Sequence, residues 1–380
     1  MIRKRIWLLA VIACVPLYFI AKPSRSESPT IHGQWTLSLE SDEGGKGGEV
    51  QFSIRRSSFG HNQYNSSSDY KLADFHGLTP AQIEGEGTAK FEVVRDAGSL
   101  SCEGTFHHGE GGGVFTFSPS APYVASMRGL GYQGLDDEKL FELAVHDVSL
   151  AYIHDLDSLG YHHLPLDQLV EMRIHGVSVE YIRELRALGY NLSPDKLVEM
   201  RIHGVSPEFA STLKELGYGT VPADQLVELR IHGATPEYLK GFQSLGYPRI
   251  PLEQLVELRI HGVSAEFASQ LREMGYDRVD PEKLVELRIH GVSVDYVNDL
   301  QSLGYKNVSL DELVEMRIHG VSTEFIKELK NYGYDHVPIS ELVEMRIHGV
   351  TGTTLQKLHD AGYKNLSTQQ IVQMRIHGVI

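Results

Sequence analysis

The stretch Leu197-Val198-Glu199-Met200-Arg201-Ile202-His203-Gly204-Val205-Ser206 decides the reading of this chain, because it returns almost unchanged along the sequence. Its histidine recurs as His175, His203, His232, His261, His290, His319, His348 and His377, and a weaker Val145-His146-Asp147 stands ahead of them. Successive copies lie 28 or 29 residues apart. A fixed period in this range marks stacked supersecondary units, none of which can bury its apolar face alone. Interleaved with the histidines is Gly-Tyr, as at Gly189-Tyr190, Gly217-Tyr218 and Gly246-Tyr247, so each period holds two helix stops.

One unit, Val205 to Gly233, can be built from its residues. Ser206 supplies an N-cap and Pro207 a first helical position, where a missing N–H costs nothing. Helix A then carries Phe209, Leu213 and Leu216 and stops at Gly217, with Tyr218 beyond it as in a Schellman motif. The second helix, B, is capped by Ser193-Pro194 or Asp280-Pro281 in sister copies, and Ser309 with Glu312 makes a capping box. At about 100° per residue, Leu197, Val198, Met200 and Ile202 fall near 0°, 100°, 300° and 140°, an apolar arc roughly 200° wide. Helix B is therefore expected to be the inner layer.

Arg201 falls near 40° on that wheel, inside the arc, so its charge needs a partner. The same arginine recurs as Arg173, Arg230, Arg259, Arg288, Arg317, Arg346 and Arg375. Five donors suit the orphan carbonyls of neighbouring helix ends, and a structural arginine ladder between repeats is expected. The histidines end helix B four residues after a glutamate, as His203 follows Glu199 (His377 alone follows Gln373), which suggests a surface pair and a helix-dipole contact. Equivalent positions in stacked hairpins lie too far apart for one metal, and no cofactor is expected. Helix A varies between copies (Ile182-Arg183-Glu184, Ala210-Ser211-Thr212, Leu239-Lys240-Gly241), so its outer face and the A-to-B turns are where a partner would be read.

Ahead of the repeats the period changes to two. Trp35, Leu37 and Leu39, then Val50, Phe52 and Ile54, then Phe91 and Val93, then Leu100, Cys102 and Phe106, then Phe115 and Phe117 predict an antiparallel sheet of five to seven strands. Glycine-rich stretches at residues 43–48, Asp96-Ala97-Gly98 and Gly109–Gly113 suit its turns, and Asn62–Ser68 reads as an exposed loop. His107-His108 beside Glu110 fits an exposed hairpin tip better than a metal site. Asp69, Asp74, His76 and His107 are the candidates for a hidden hydrolytic site, although serines near histidines are capping residues and no unique nucleophile stands out. A non-enzymatic protein is expected.

Met1–Arg5 is basic and the sixteen residues from Ile6 to Ala21 are uncharged, the pattern of a secretory signal or a marginal single membrane anchor. The expected organisation is residues 1–26 signal or anchor, 31–118 antiparallel β domain and 119–380 an α-solenoid of nine helix-turn-helix repeats with a period of about 29, an α+β chain. The protein would then be extracytoplasmic, periplasmic or secreted, and could be held in the inner membrane by residues 6–21. Its 380 residues carry a formal net charge of −15, from 50 acidic against 35 basic side chains, which argues against a nucleic-acid partner. Two cysteines, Cys14 and Cys102, provide no disulfide framework.

The repeat, with Gly33-Gln34-Trp35-Thr36 and Phe91–Gly98 before it, resembles the extracytoplasmic C-terminal region of bacterial membrane metallopeptidase-like proteins, which are similar to the antirepressor sensors of β-lactam resistance. There is no His-Glu-x-x-His and at most one membrane segment, so no peptidase activity is carried over. The resemblance implies a stand-alone envelope-facing module. Apart from it, the solenoid and the lack of a catalytic constellation suggest an interaction or scaffold protein whose partner is a protein or envelope component. The alternative is a sensor whose β domain binds a small ligand or glycan.

Overall fold

The computed structural model describes residues 31–39, 49–57, 63–247 and 249–379. The architecture is α+β, an antiparallel sheet followed by helical repeats. Two compact units are present, the first ending at Val170 and the second running from Glu171 to Ile380. The expected export segment, residues 1–26, and the 43–48 turn lie outside the described residues.

Seven strands, β1 (Ile31–Leu39), β2 (Glu49–Ser57), β3 (Gln63–Lys71), β4 (Phe75–His76), β5 (Glu86–Arg95), β6 (Gly98–His107) and β7 (Glu110–Pro119), form one sheet in the order β3-β2-β1-β7-β6-β5-β4. Its edge strands, β3 and β4, are separated by only Leu72–Asp74. Three residues reach about 10 Å, so the sheet must curl until its two edges approach each other. The rings agree, since Phe75 of β4 lies 5.7 Å from Tyr70 of β3 and 5.2 Å from Phe52 of β2.

The alternating residues of the sequence line the inner face. Trp35, Phe52, Phe91, Cys102, Phe106, Phe115 and Phe117 are each no more than 3% exposed. The Trp35 indole N–H donates to Val114 O at 3.1 Å, satisfying the one polar group it brings inside. Gly111, Gly112 and Gly113, expected in a turn, belong to β7 instead. They leave room for the curl, because a methyl on Gly113 would stand 2.0 Å from Glu103 O and one on Gly111 2.3 Å from the Phe106 ring. The turn itself is His108-Gly109, with φ of 50° and 89°. Positive φ at both central residues is the type I′ geometry that matches strand twist.

Asn62–Ser68 was expected as a loop, yet residues 63–68 open strand β3, paired along its length with β2. As an edge strand with mostly exposed side chains it needs no apolar alternation, so periodicity had nothing to report. Helix α1 (Pro80–Glu84) begins at a Thr79 capping box and buries Ile83. After α2 (Ala121–Gly129), helix α3 (Asp137–Val145) packs on β1, β6 and β7. Its Phe141 ring stacks on Phe115 at 5.8 Å and meets Phe117 at 5.4 Å. The first hairpin of the repeat series therefore belongs to the core of the sheet-bearing unit.

In the second unit, A helices (Val179–Ala187, Pro207–Leu213, Pro236–Ser244, Ala265–Glu273, Val294–Ser302, Thr323–Asn331, Gly352–Asp360) alternate with B helices (Pro194–Ile202, Ala223–Ile231, Leu252–Ile260, Pro281–Ile289, Leu310–Ile318, Ile339–Ile347, Thr368–Ile376). Each B helix touches the next B helix, and A helices likewise pack in series. Caps form at the residues the sequence singles out: Ser206 accepts from Phe209 N–H, Ser193 from Lys196 N–H, and Ser309 with Glu312 closes its box. Both stops are made by left-handed glycines. Val205 N–H donates to Met200 O at 2.8 Å past Gly204, and Tyr190 N–H to Leu185 O at 3.0 Å past Gly189. At Gly217 the helix ends instead in a wider π-type turn, Lys214–Tyr218.

Candidate functional site

The recurring arginines lie across the repeats, with Arg230, Arg317, Arg346 and Arg375 half-buried and Arg201, Arg259 and Arg288 exposed. Arg201 stands over the Tyr181 ring at 4.8 Å, Arg230 over Phe209 at 5.4 Å, Arg259 over Tyr238 at 4.8 Å, and Arg288, Arg317 and Arg346 repeat this on Phe267, Tyr296 and Phe325. From there the guanidinium reaches the end of the preceding B helix. Arg259 Nε donates to His232 O at 3.4 Å, Arg346 Nε to Gly320 O at 2.9 Å and Arg375 Nε to His348 O at 3.4 Å. The stop glycine must be bare at this point, since a methyl on Gly204 would stand 3.0 Å from Arg230 Nη2. Arg173 occupies the same position in Leu166–Ile174 and is half-buried.

A second set of links was not visible in the sequence pattern. Tyr190, Tyr218, Tyr247, Tyr276 and Tyr305, read only as residues after a helix stop, donate their hydroxyls to the carbonyls of Val221, Ile250, Val279, Val308 and Val337, 31 or 32 residues on, at 2.7–2.9 Å. Tyr181, Tyr238 and Tyr296 do the same for Val205, Val263 and Val321 at 2.7–2.9 Å. Burial pushes the Tyr181 and Tyr296 phenols up to about 12, so they remain donors at neutral pH.

The helix-end histidines cap their helices with main chain. His203 N–H donates to Arg201 O and Glu199 O, and His232, His261, His290, His319, His348 and His377 repeat the arrangement, as His175 N–H does to Glu171 O. Among the described residues no ion pair joins these histidines to the glutamate four residues earlier; the expected side-chain pair is replaced by the backbone bond. They form no metal-binding group among the described residues either.

The isoleucine before each histidine departs most from expectation. Placed by the wheel at the border of the apolar arc, it is exposed in every copy: Ile174, Ile202, Ile231, Ile260, Ile289, Ile318, Ile347 and Ile376 are 49–57% exposed. Only Leu197, Val198 and Met200 and their equivalents are buried, an arc of about 160° that leaves the position 40° further round in solvent. On the same face, three and seven residues before the isoleucine, stand Glu199 and Asp195, Glu228 and Asp224, Glu257 and Glu253, Glu286 and Glu282, and Glu315 and Asp311. The B face thus presents a ladder of exposed isoleucines beside a ladder of carboxylates. Lys196 and Lys283 bridge neighbouring rungs, binding Asp224 and Asp311 at 2.5 Å as well as Glu199 and Glu286 of their own helices.

The sheet unit holds two further places where polar groups gather. Beside α3 is a cleft of about 510 Å³ lined by Arg56, Tyr64, Asp136, Glu138, Lys139, Phe141 and Glu142. There Arg56 pairs with both oxygens of Glu138, whose carboxyl that hydrogen bond holds below the usual carboxylate range. Tyr64 Oη lies 2.8 Å from His146 Nε2. At the β6–β7 tip, His107 and His108 stand with Glu86, not Glu110: the two Nε2 atoms are 3.5 and 3.3 Å from Glu86 Oε1. Of the hydrolytic candidates, Asp74 is bound to Arg95 at 3.3 Å, His107 is held at the hairpin tip, and Asp69 and His76 are exposed on β3 and β4. Cys102 is buried, and desolvation pushes its thiol up to about 12, away from the nucleophilic thiolate.

No family model matches the chain, and no curated protein gives a significant match to it.

Proposed function

We propose that this chain is a non-enzymatic interaction module, exported or membrane-anchored through residues 1–26, that holds a protein or envelope component on the B face of its helical repeats. The observation that carries the reading is the repetition of an exposed isoleucine in eight successive copies. A large apolar side chain left in water gains nothing in the folded monomer, whereas one repeated at a fixed spacing makes a continuous surface for a partner.

The carboxylate ladder beside it selects the partner's charge. A second copy of the same face, or an anionic bilayer, would bring like charges together, while a cationic, apolar segment would bring opposite ones. Packed helices lie about 8–10 Å apart, and a polyproline II segment advances about 9.3 Å per three-residue turn. An extended chain with an apolar residue at every third position and cations between would keep step with the rungs.

The test is fluorescence anisotropy with a labelled peptide of repeated Lys-Pro-Ile, alongside a Glu-Pro-Ile control. Binding that weakens with salt and falls at least tenfold in the triple variant Ile231→Ser, Ile260→Ser, Ile289→Ser is expected. Equal binding of both peptides, or indifference to the triple variant, would overturn the reading.

The cleft beside α3 supports a second reading, a sensor in which the sheet unit takes a small ligand. An aromatic floor of Tyr64 and Phe141, rimmed by Arg56, Asp136, Glu138, Lys139 and Glu142, would suit a polar ring such as a glycan. Chemical-shift changes confined to these residues in a ligand screen would support it.

A further inference from the structure

We propose that Glu86, His107 and His108 form a divalent metal site, with zinc as its ion, at the tip of the β6–β7 hairpin. The three side chains offer two imidazole nitrogens and a carboxylate oxygen, all within 4.8 Å of one another. In a tetrahedral zinc site with ligand bonds near 2.1 Å, neighbouring donor atoms are about 3.4 Å apart; an octahedral ion with the same bond length needs about 3.0 Å. The two imidazole–carboxylate distances here are 3.5 and 3.3 Å and the third donor pair lies within 4.8 Å, so side-chain rotation alone can bring the set to the tetrahedral edge. Two histidines, one glutamate and an open fourth position form the donor set of zinc centres that keep an exchangeable ligand.

The backbone brings these residues together for identifiable reasons. Glu86 opens β5 directly after Gly85, the C-cap of α1, and stands opposite His107 in the β5–β6 register, so the two side chains share a face. His108 follows His107 and would point to the opposite face in a regular strand. Its left-handed φ of 50° takes it out of that alternation, and the two imidazole rings lie with centroids 4.4 Å apart. The tip is tied down by His108 N–H to Gly85 O at 3.2 Å and Gly109 N–H to Ile83 O at 3.0 Å. Asparagine or glycine is the commonest occupant of this turn position, and histidine also takes a left-handed φ elsewhere in the described chain, at His163 and His336.

That preference also provides a variant that keeps the fold. His108→Asn retains a residue at home in a type I′ turn while removing the imidazole; Glu86→Gln keeps the shape and removes the charge. Isothermal titration of the full chain with zinc is expected to show one tight event per molecule, weakened at least tenfold in each variant and in His107→Gln, but unchanged in His203→Gln, a helix-end histidine. Cobalt should give the intense visible bands of four-coordination in the parent protein and lose them in His108→Asn. Zinc binding that survives all three ligand variants, an absence of any tight event, or a spectrum of six-coordinate cobalt would overturn the proposal.

Discussion

Single residues hold neighbouring repeats together through groups that a helical wheel reads as incidental. Tyr247 donates to Val279 O at 2.7 Å, and replacement by Phe is expected to cost about 1 kcal/mol, because the buried carbonyl keeps its desolvation penalty and loses its donor. Gly233→Ala should cost at least 1–2 kcal/mol, roughly the left-handed penalty for an L side chain, plus a methyl 3.1 Å from Arg259 Nη2. Urea denaturation of single variants checks both. The isoleucine of each copy behaves oppositely: Ile260→Ser should change stability by less than about 0.5 kcal/mol, since the side chain is 57% exposed.

The same separation of packing from display holds for whole elements. A B helix buries its Leu, Val and Met (or Leu) against neighbours and turns its acids and isoleucine outward, while its arginine bridges backward to the preceding stop. In the sheet, β7 owes its place to what it lacks. Gly113→Ala should prevent closure of the sheet against β6, because no rotamer can relieve a Cβ 2.0 Å from Glu103 O, and circular dichroism of the variant should show lost strand signal. Helices, caps and stops were legible because each is written by local chemistry at fixed offsets. The strand from Gln63 was not, since an edge strand owes its existence to β2 pairing rather than to its own apolar period.

For the whole molecule, the buried tyrosines set the alkaline limit. Tyr181 and Tyr296 are raised by burial to about 12 from an unfolded value near 10, so the folded state holds their protons more tightly. Their contribution is fully present below pH 10 and is lost as pH rises toward 12. The melting temperature should therefore fall across that window, in step with the 295 nm absorbance of ionising tyrosine. Fractionation of cells producing the full chain is expected to place it outside the cytoplasm, and removal of residues 1–26 to retain it inside.

Sequence alone determined the class of the fold, the repeat length and both helix stops, because these depend on contacts within about a turn of the residue concerned. Tertiary structure decided what lies between residues far apart in the chain. The curl follows from three residues joining the two edge strands; Glu86 meets His107 through strand register; and the Ile-His-Gly isoleucine is left in solvent because the neighbouring hairpins cover an arc just too narrow to include it. Local pattern reports how a helix or strand is built, but burial and ligand geometry are properties of what packs beside it.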